Sequence, residues 1–444
     1  MFRAVARIFR TPDLRRKIGF TIGIVALFRL GSFIPAPFVD FGNVQACLNP
    51  ADGTAGTASG LYELVNLFSG GALLQLSVFA LGIMPYITSS IIVQLLRVVI
   101  PHFDTLYKEG QSGQAKLTQY TRYLTIALGI LQSTTLITVA RSGALFPANS
   151  APACSSLITN EAWYAIMLMV ITMTAGTGLI MWMGELITER GIGNGMSLLI
   201  FTSIAARFPN SLWSIKESKG IEILIVVVAI GIVIMAAVVF VEQSQRRIPV
   251  QYAKRMVGRR TYGGNNTYIP IKVNMAGVVP VIFASSLLYL PALIAQFNQP
   301  AAGEAAAPWV TWITNNLTSG DNPLYMVVYF LLIVGFTYFY VAITFNPEEV
   351  ADNMKKYGGF IPGIRAGRPT AEYLDYVLTR VTLPGSLYLG LIALVPLGAL
   401  AIIGANSNFP FGGASILIIV GVGLETVKQI DSQLQQRHYE GLLR

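Results

Sequence analysis

Apolar runs of about 20 residues recur along this chain, and each is long enough to cross the hydrocarbon core of a bilayer. Only 12% of the 444 residues are charged, against roughly 25% in soluble domains. We therefore expect an all-α integral membrane protein. Ten runs are predicted to span the membrane: residues 18–35, 76–96, 121–140, 163–184, 193–208, 221–241, 275–297, 324–345, 383–403 and 412–428.

Two of these runs, the fifth and the first, differ from the others. The fifth run is the weakest, because its apolar core is short and begins in the glycine-rich GIGNG stretch, residues 191–195. At the N-terminus, the first 17 residues are polar and basic, and no small-residue cleavage pattern follows the first run. We expect that run to remain as the first span.

Lysine and arginine are distributed unevenly between the two sides of the predicted spans. Of the 31 Lys and Arg residues, 26 lie in the two tails and the even-numbered loops, and 4 lie in the odd-numbered loops. Basic residues favour the cytoplasmic side. This distribution predicts that both termini and the even-numbered loops are cytoplasmic, so the net charge of +9 is first of all a topology signal.

The second and seventh runs carry the same interruption. One reads GIMPYITSS (82–90) and the other GVVPVIFASS (277–286), each with Gly, Pro and paired serines. Five spans separate the two copies, so they cross the membrane in opposite directions, as in an inverted repeat. In such folds the interrupted segments point to the transport pathway. The alternative is a packing interface of small residues without a moving role.

A shorter apolar segment, residues 61–79, precedes the second run. Residues 61–74 alone are too short to span a membrane. They would form either a surface helix on the outer face or a re-entrant segment inside a cavity. Ser69-Gly70-Gly71 interrupts the segment and favours re-entry.

Residues that would carry chemistry are scarce. Arg29 is the one ionisable residue that clearly lies within a predicted span, so a small-molecule transporter with a midplane ion relay is disfavoured. No hydrolase, zinc-protease or nucleotide-binding motif is present, which argues against a membrane enzyme. We expect no cofactor and no metal, and an energy source supplied by a partner.

Six stretches in order identify a resemblance to the SecY family, the channel subunits of the bacterial protein translocase. They are LFSGGAL (67–73), LGIMPYITSSIIVQLL (81–96), KEGQSGQAKLTQYTRY (108–123), ERGIGNGMSL (189–198), VNMAGVVPVIFASS (273–286) and NPEEVADNMKKYGGFIPGIRAG (346–367). The resemblance implies ten transmembrane helices in two inverted five-helix halves, residues 1–212 and 213–444, around a central hourglass pore. It implies a passive protein-conducting channel.

The resemblance also assigns site residues. An apolar pore ring is expected at Ile83, Ile87, Met196, Ile200, Ile282 and Ile418, where Met196 stands at a position often occupied by Ile. A plug is expected at Leu61, Leu64, Leu67, Phe68, Ser69, Gly70, Gly71 and Leu74. A lateral gate is expected at Pro85, Thr88, Ser90, Pro280, Ser285, Ser286 and Leu290.

Two basic cytoplasmic loops, about 242–272 and 346–382, are expected to dock partners. By residue type alone, their charge fits membrane topology with lipid headgroup contact, RNA phosphates or an acidic protein surface equally. The resemblance implies docking of the SecA ATPase and of the translating ribosome through ribosomal RNA, at Arg255, Arg259, Arg260 and Arg365. It further implies SecE and SecG subunits, signal-sequence-bearing polypeptides and membrane lipid as partners, and a location in the bacterial plasma membrane.

The two cysteines, Cys47 and Cys154, are too few for a disulfide framework. Both fall in loops predicted to be outside, where disulfides persist. The residues allow two ordinary free thiols, and as a second hypothesis we consider that Cys47 and Cys154 pair across the outer face.

Overall fold

A computed structural model describes residues 11–48, 69–141, 157–160, 162–252, 255–257, 260–262, 267–297, 307–318, 322–403 and 413–440. The described helices are α1 (Pro12–Gly31), α2 (Phe41–Leu48), α3 (Met84–Val99), α4 (Pro101–Lys108), α5 (Gln111–Arg141), α6 (Trp163–Arg190), α7 (Gly195–Gln243), α8 (Val279–Phe297), α9 (Pro308–Ile313), α10 (Pro323–Thr344), α11 (Pro347–Lys356), α12 (Arg368–Ile403) and α13 (Gly413–Glu440). A π-helical turn, Thr314–Thr318, follows α9.

The helical content confirms the predicted all-α membrane class, and every predicted apolar run overlaps a described helix. Within the described ranges, five helical stretches are long and apolar enough to cross a bilayer: Gln111–Arg141, Trp163–Arg190, Gly220–Gln243, Pro323–Lys356 and Arg368–Val395. A sixth is added if α3 and α4, which meet at 99°, are taken as one broken span.

The second predicted span starts later than its apolar run. Residues 69–83 form tight turns, and the helix begins only at Met84. Three glycines in these turns, Gly70, Gly71 and Gly82, have positive φ, as does the buried Leu76. Positive φ is incompatible with a right-handed helix, so the apolar run cannot be helical throughout.

The fifth predicted span belongs to a helix longer than its apolar core suggested. α7 continues through Pro209 and kinks at Gly220, where φ is 85° and ψ is 172°. Glycine reaches this backbone geometry without the steric penalty of a Cβ atom. The limb beyond the kink, Gly220–Gln243, contains the sixth span.

The sequence analysis predicted no strands, yet the two basic loops form a small sheet. β1 (Gln245–Tyr252) pairs antiparallel with β4 (Thr267–Lys272), and also with β5 (Gly359–Phe360) from the next basic loop. Two short strands, β2 (Arg255–Val257) and β3 (Arg260–Tyr262), pair at the tip of the first loop. Ile248 and Val250 of β1 are buried between exposed neighbours, the alternation of a half-buried strand.

One cysteine of the hypothesised disulfide is described. Cys47 lies in α2, is fully buried and is disulfide-bonded. The predicted partner, Cys154, lies outside the described residues.

Candidate functional site

The six predicted ring positions come together in one apolar cluster. They lie on α3 and the residue before it, on the first turns of α7, on α8 and on α13. Ile83, Ile200, Ile282 and Ile418 are each at most 6% exposed, and Ile87 and Met196 pack against them. The structure therefore places four helices around one apolar waist, and the role of that waist as a pore ring stays a prediction.

Met196 has room in this cluster because a glycine faces it. A Cβ atom placed on Gly184 of α6 would lie 2.3 Å from the Met196 sulfur. The flexible thioether occupies the space that a side chain at Gly184 would fill. Methionine is thus accommodated at the position that isoleucine often occupies in the family.

A cavity of about 440 Å³ borders the apolar cluster. Five of the six ring side chains line one part of it: Ile87, Met196, Ile200, Ile282 and Ile418. The rest of the lining includes polar and charged side chains: Ser90, Gln94, Thr118, Arg122, Glu185, Thr188, Glu189, Asn194 and Ser197. This cavity, called the vestibule below, is thus lined by both apolar and polar side chains.

An ion pair in the vestibule wall was missed by the sequence analysis. Arg122 of α5 donates from Nε to Glu185 Oε1 at 2.9 Å and from Nη2 to Glu185 Oε2 at 2.7 Å. This bidentate geometry is the strongest arrangement of an arginine and a carboxylate. The two residues lie 63 positions apart near span ends, so no local pattern indicated that they meet.

The doubled motif forms the start of two facing helices. Gly82 (φ 57°) lies two residues before the first residue of α3, and Gly277 (φ 60°) lies two residues before the first residue of α8. Pro85 and Pro280 are the second residues of these helices, where no helical hydrogen bond is lost. Neither proline of the doubled motif therefore interrupts a helix.

α3 and α8 contact each other, and both border the vestibule. Of the predicted gate residues, Pro85 and Pro280 are buried and Ser90 lines the vestibule. The Thr88 hydroxyl donates to the Met84 carbonyl within its own helix. Ser285 likewise donates to Ile282 within α8. Ser286 and Leu290 lie in α8, and their side chains are outside the described part of the chain.

The described part of the predicted plug is its C-terminal end. The Ser69 hydroxyl accepts a hydrogen bond from the Leu73 amide at 3.1 Å, and Ser69 and Leu74 are buried. The Gly70 carbonyl accepts a hydrogen bond from Arg29. These contacts agree with a re-entrant segment enclosed by protein. The other predicted plug residues, Leu61, Leu64, Leu67 and Phe68, lie outside the described residues.

Of the predicted docking residues, two belong to the separate two-stranded sheet of β2 and β3, and one follows β5. Arg255 is paired with Tyr262, and Arg260 with Val257, across β2 and β3. Arg259 lies outside the described residues, as do the side chains of Arg255 and Arg260. Arg365 is exposed in the loop after β5. Because β5 pairs with β1, the structure joins both basic loops into one surface.

Comparison with known proteins identifies relatives over the whole chain. The SecY family model matches residues 77–427. The chain is 65% identical over 448 residues to the protein translocase subunit SecY of Streptomyces coelicolor, 60% identical to that of Micrococcus luteus and 58% identical to that of Mycobacterium bovis, with 100% of both chains covered in each case.

Solved structures share the fold at low sequence identity. A structure of a protein-conducting channel matches with a TM-score of 0.59 and 18% identity, over 93% of this chain and 91% of that one. Sec61 in a canine ribosome-channel complex from the endoplasmic reticulum matches with a TM-score of 0.58, the same identity and the same coverage.

Proposed function

Because the chain belongs to the SecY family, we propose that it is the pore of a protein translocase that moves unfolded secretory polypeptides across the bacterial plasma membrane and releases membrane proteins sideways into lipid. The observation that carries this proposal is the convergence of the six ring side chains beside the vestibule. The chain itself performs no catalysis in this scheme.

The apolar waist suits a substrate of arbitrary sequence. Isoleucine and methionine side chains offer no fixed hydrogen-bond partners, so they favour no particular polypeptide. An apolar constriction that excludes water also impedes ions. We infer that Ile83, Ile87, Met196, Ile200, Ile282 and Ile418 form a deformable ring that closes around a passing chain and seals when none is present.

The two helices of the doubled motif support a sideways exit. α3 and α8 line the same vestibule and begin at glycine turns with almost equal φ. Pro85 and Pro280 lie in the first helical turn and remove no hydrogen bond, although Pro291 lies further along inside α8. We infer that each helix can swing about the glycine turn at its start. We infer that separation of α3 from α8 opens the gate, along the seam marked by Pro85, Thr88, Ser90, Pro280, Ser285, Ser286 and Leu290.

Movement through a passive pore needs a motor or a ribosome. The joined sheet of the two basic loops supports one docking surface for both, since basic side chains attract RNA phosphates and acidic protein surfaces alike. In this proposal Arg255, Arg259, Arg260 and Arg365 contact SecA or ribosomal RNA on the cytoplasmic side. SecE and SecG complete the complex in the membrane, and both termini of this chain are cytoplasmic.

Reconstitution tests the proposed function. The purified chain is placed in liposomes with SecE and SecG, and a labelled secretory polypeptide is added with SecA and ATP. We expect the polypeptide to become protected from external protease, and we expect no ATP hydrolysis by the chain without SecA. Liposomes that contain SecE and SecG alone are the control. Equal protection in both preparations would contradict the proposal.

A further inference from the structure

Arg29 is the one charged residue that the sequence analysis placed clearly within a span, and the proposed pathway gives it no role. It lies in the last turn of α1 and is half-buried. A charged side chain within a membrane span is costly to bury and is usually retained for function. Its contacts therefore indicate what it does.

The guanidinium of Arg29 contacts the turn at the end of the predicted plug. Nη1 donates to the Gly70 carbonyl at 2.8 Å. The guanidinium carbon also lies 4.9 Å from the centroid of the Phe33 ring, within range of a cation–π interaction. The Phe33 ring thus helps to position the guanidinium so that Arg29 Nη1 can donate to the Gly70 carbonyl.

The turn itself is a tight hinge. Gly70 and Gly71 both have positive φ, at 69° and 96°. A Cβ atom on Gly70 would lie 3.2 Å from the Cα atom of Ser203 in α7. The turn is therefore pressed against α7 on one side and hydrogen-bonded to α1 on the other.

The residues that follow the hinge are held by main-chain hydrogen bonds and a ring stack, both to α1 and to the residues directly after it. The Val78 amide donates to the Ile34 carbonyl at 2.9 Å, and the Ala36 amide donates to the Leu76 carbonyl at 3.0 Å. The Phe79 ring stacks on Phe28 with 5.9 Å between centroids. These main-chain bonds and the ring stack fix residues 72–83 as a base. By contrast, the bond from Arg29 to the hinge involves a side chain and can break without disturbing that base.

We propose that Arg29 is a positioning residue that latches the hinge of the plug in the closed state. The inference rests on the proposed function, since it needs a plug that moves. In the closed state Arg29 Nη1 donates to the Gly70 carbonyl. When a polypeptide displaces the turn, water replaces that carbonyl as acceptor while the base stays attached.

The resting ion conductance of the channel tests the latch. The full chain, reconstituted with SecE and SecG, is measured in planar bilayers as wild type, Arg29→Gln and Arg29→Lys. We expect a roughly tenfold higher resting conductance for Arg29→Gln, the ratio set by loss of one charge-assisted hydrogen bond. Arg29→Lys keeps a donor cation and is expected to leak less. The matched control is Lys216→Gln, which removes an exposed cation that contacts Trp213 and should leave conductance unchanged.

A covalent tether separates the latch from a general packing effect. A Cβ atom on Gly70 would lie 3.3 Å from the Ser203 Cβ atom, slightly less than the separation of about 3.5–4.5 Å in disulfides, and a cysteine there is strained because φ at Gly70 is positive. The reduced double-cysteine protein is therefore the reference for the oxidised one. In the Arg29→Gln background, oxidised Gly70→Cys/Ser203→Cys should conduct less than the same protein after reduction, whereas the same reduction should leave conductance unchanged when either cysteine is present alone. A leak that the tether leaves unchanged would mean that Arg29 supports packing elsewhere.

Translocation measured on the same preparations distinguishes the two proposals. Active wild-type translocation with no leak in Arg29→Gln would overturn the latch alone. A wild-type preparation that translocates nothing with active SecA would overturn the proposed function. If Arg29→Gln is not recovered in membranes, Phe33→Leu decides, because it removes the exposed ring that contacts the Arg29 guanidinium, and conductance equal to that of the wild type would overturn the latch.

Discussion

At the scale of single residues, the backbone of two glycines determines where the gate helices begin. Gly82 and Gly277 have φ of 57° and 60°, a region that is costly for residues with a Cβ atom. No other heavy atom lies within 4 Å of a Cβ atom placed on Gly277, so its backbone angle alone restricts substitution. A substitution at Gly277 therefore tests the effect of backbone conformation on stability without an effect of crowding.

We expect Gly277→Ala to lower the free energy of unfolding by about 1 kcal/mol, because alanine at positive φ brings its Cβ atom close to the carbonyl oxygen. Gly335→Ala in α10 is the matched control, since it has the same open space but no positive φ. That change should be neutral or stabilising by up to about 1 kcal/mol, as alanine is the better helix former. Thermal unfolding in detergent measures both, and equal midpoints would contradict the assignment.

Single residues also show the limit of prediction from the sequence. Arg29 stood out as a charge within an apolar run, but its acceptor, the Gly70 carbonyl, lies 41 positions away. The packing of Met196 on Gly184 likewise depends on how α6 and α7 meet. Residue type was visible in the sequence, whereas the partner was set by tertiary packing.

At the scale of elements, the vestibule wall depends on how α5 and α6 are joined. The Arg122–Glu185 pair links these helices at the level of the vestibule. The arginine is close to half exposed, at 46%, so the pair contributes modestly to stability despite its bidentate geometry. We expect its larger effect to be on the position of α5 relative to α6 beside the vestibule.

Charge reversal tests this link. Arg122→Glu and Glu185→Arg alone should each lower the free energy of unfolding by about 1 kcal/mol and reduce translocation, because each brings like charges together. The double exchange, Arg122→Glu/Glu185→Arg, should recover most of both, since the pair is restored in the opposite direction. Thermal unfolding and protease protection of a translocated polypeptide measure the outcome. A double variant no better than the single ones would show that the residues act separately.

The long helices were predicted well from the sequence, whereas the start of α3 and the strands were not, and each outcome has a physical reason. Long apolar runs such as 163–184 indicated α6, because a bilayer demands length and low polarity. The start of α3 was placed eight residues early, at 76 instead of Met84, since the turns before it are as apolar as the helix. The strands of the basic loop were missed, because Arg246 and Arg247 obscure the alternation of β1.

At the scale of the whole molecule, the doubled motif and the apolar ring belong to one arrangement. Two helices with matching glycine starts, α3 and α8, carry Ile87 and Ile282 into the same cluster and face the same vestibule. Such pairing across two halves was predicted from the repeat itself, because inverted repeats place corresponding segments at a shared interface. The sheet that joins the two basic loops was not predicted, since β5 contributes only two residues to it.

The central claim is that a polypeptide passes between the two copies of the motif, and site-specific photocrosslinking tests it most directly. A photoreactive residue is placed at position 87 or 282, and at position 331 as a control, since Leu331 is 62% exposed on α10. A secretory polypeptide is then stalled in membranes that contain SecA and ATP. We predict adducts at 87 and 282 and none at 331. Adducts at neither 87 nor 282, with translocation intact, would contradict the claim and would mean that the doubled motif only packs helices together.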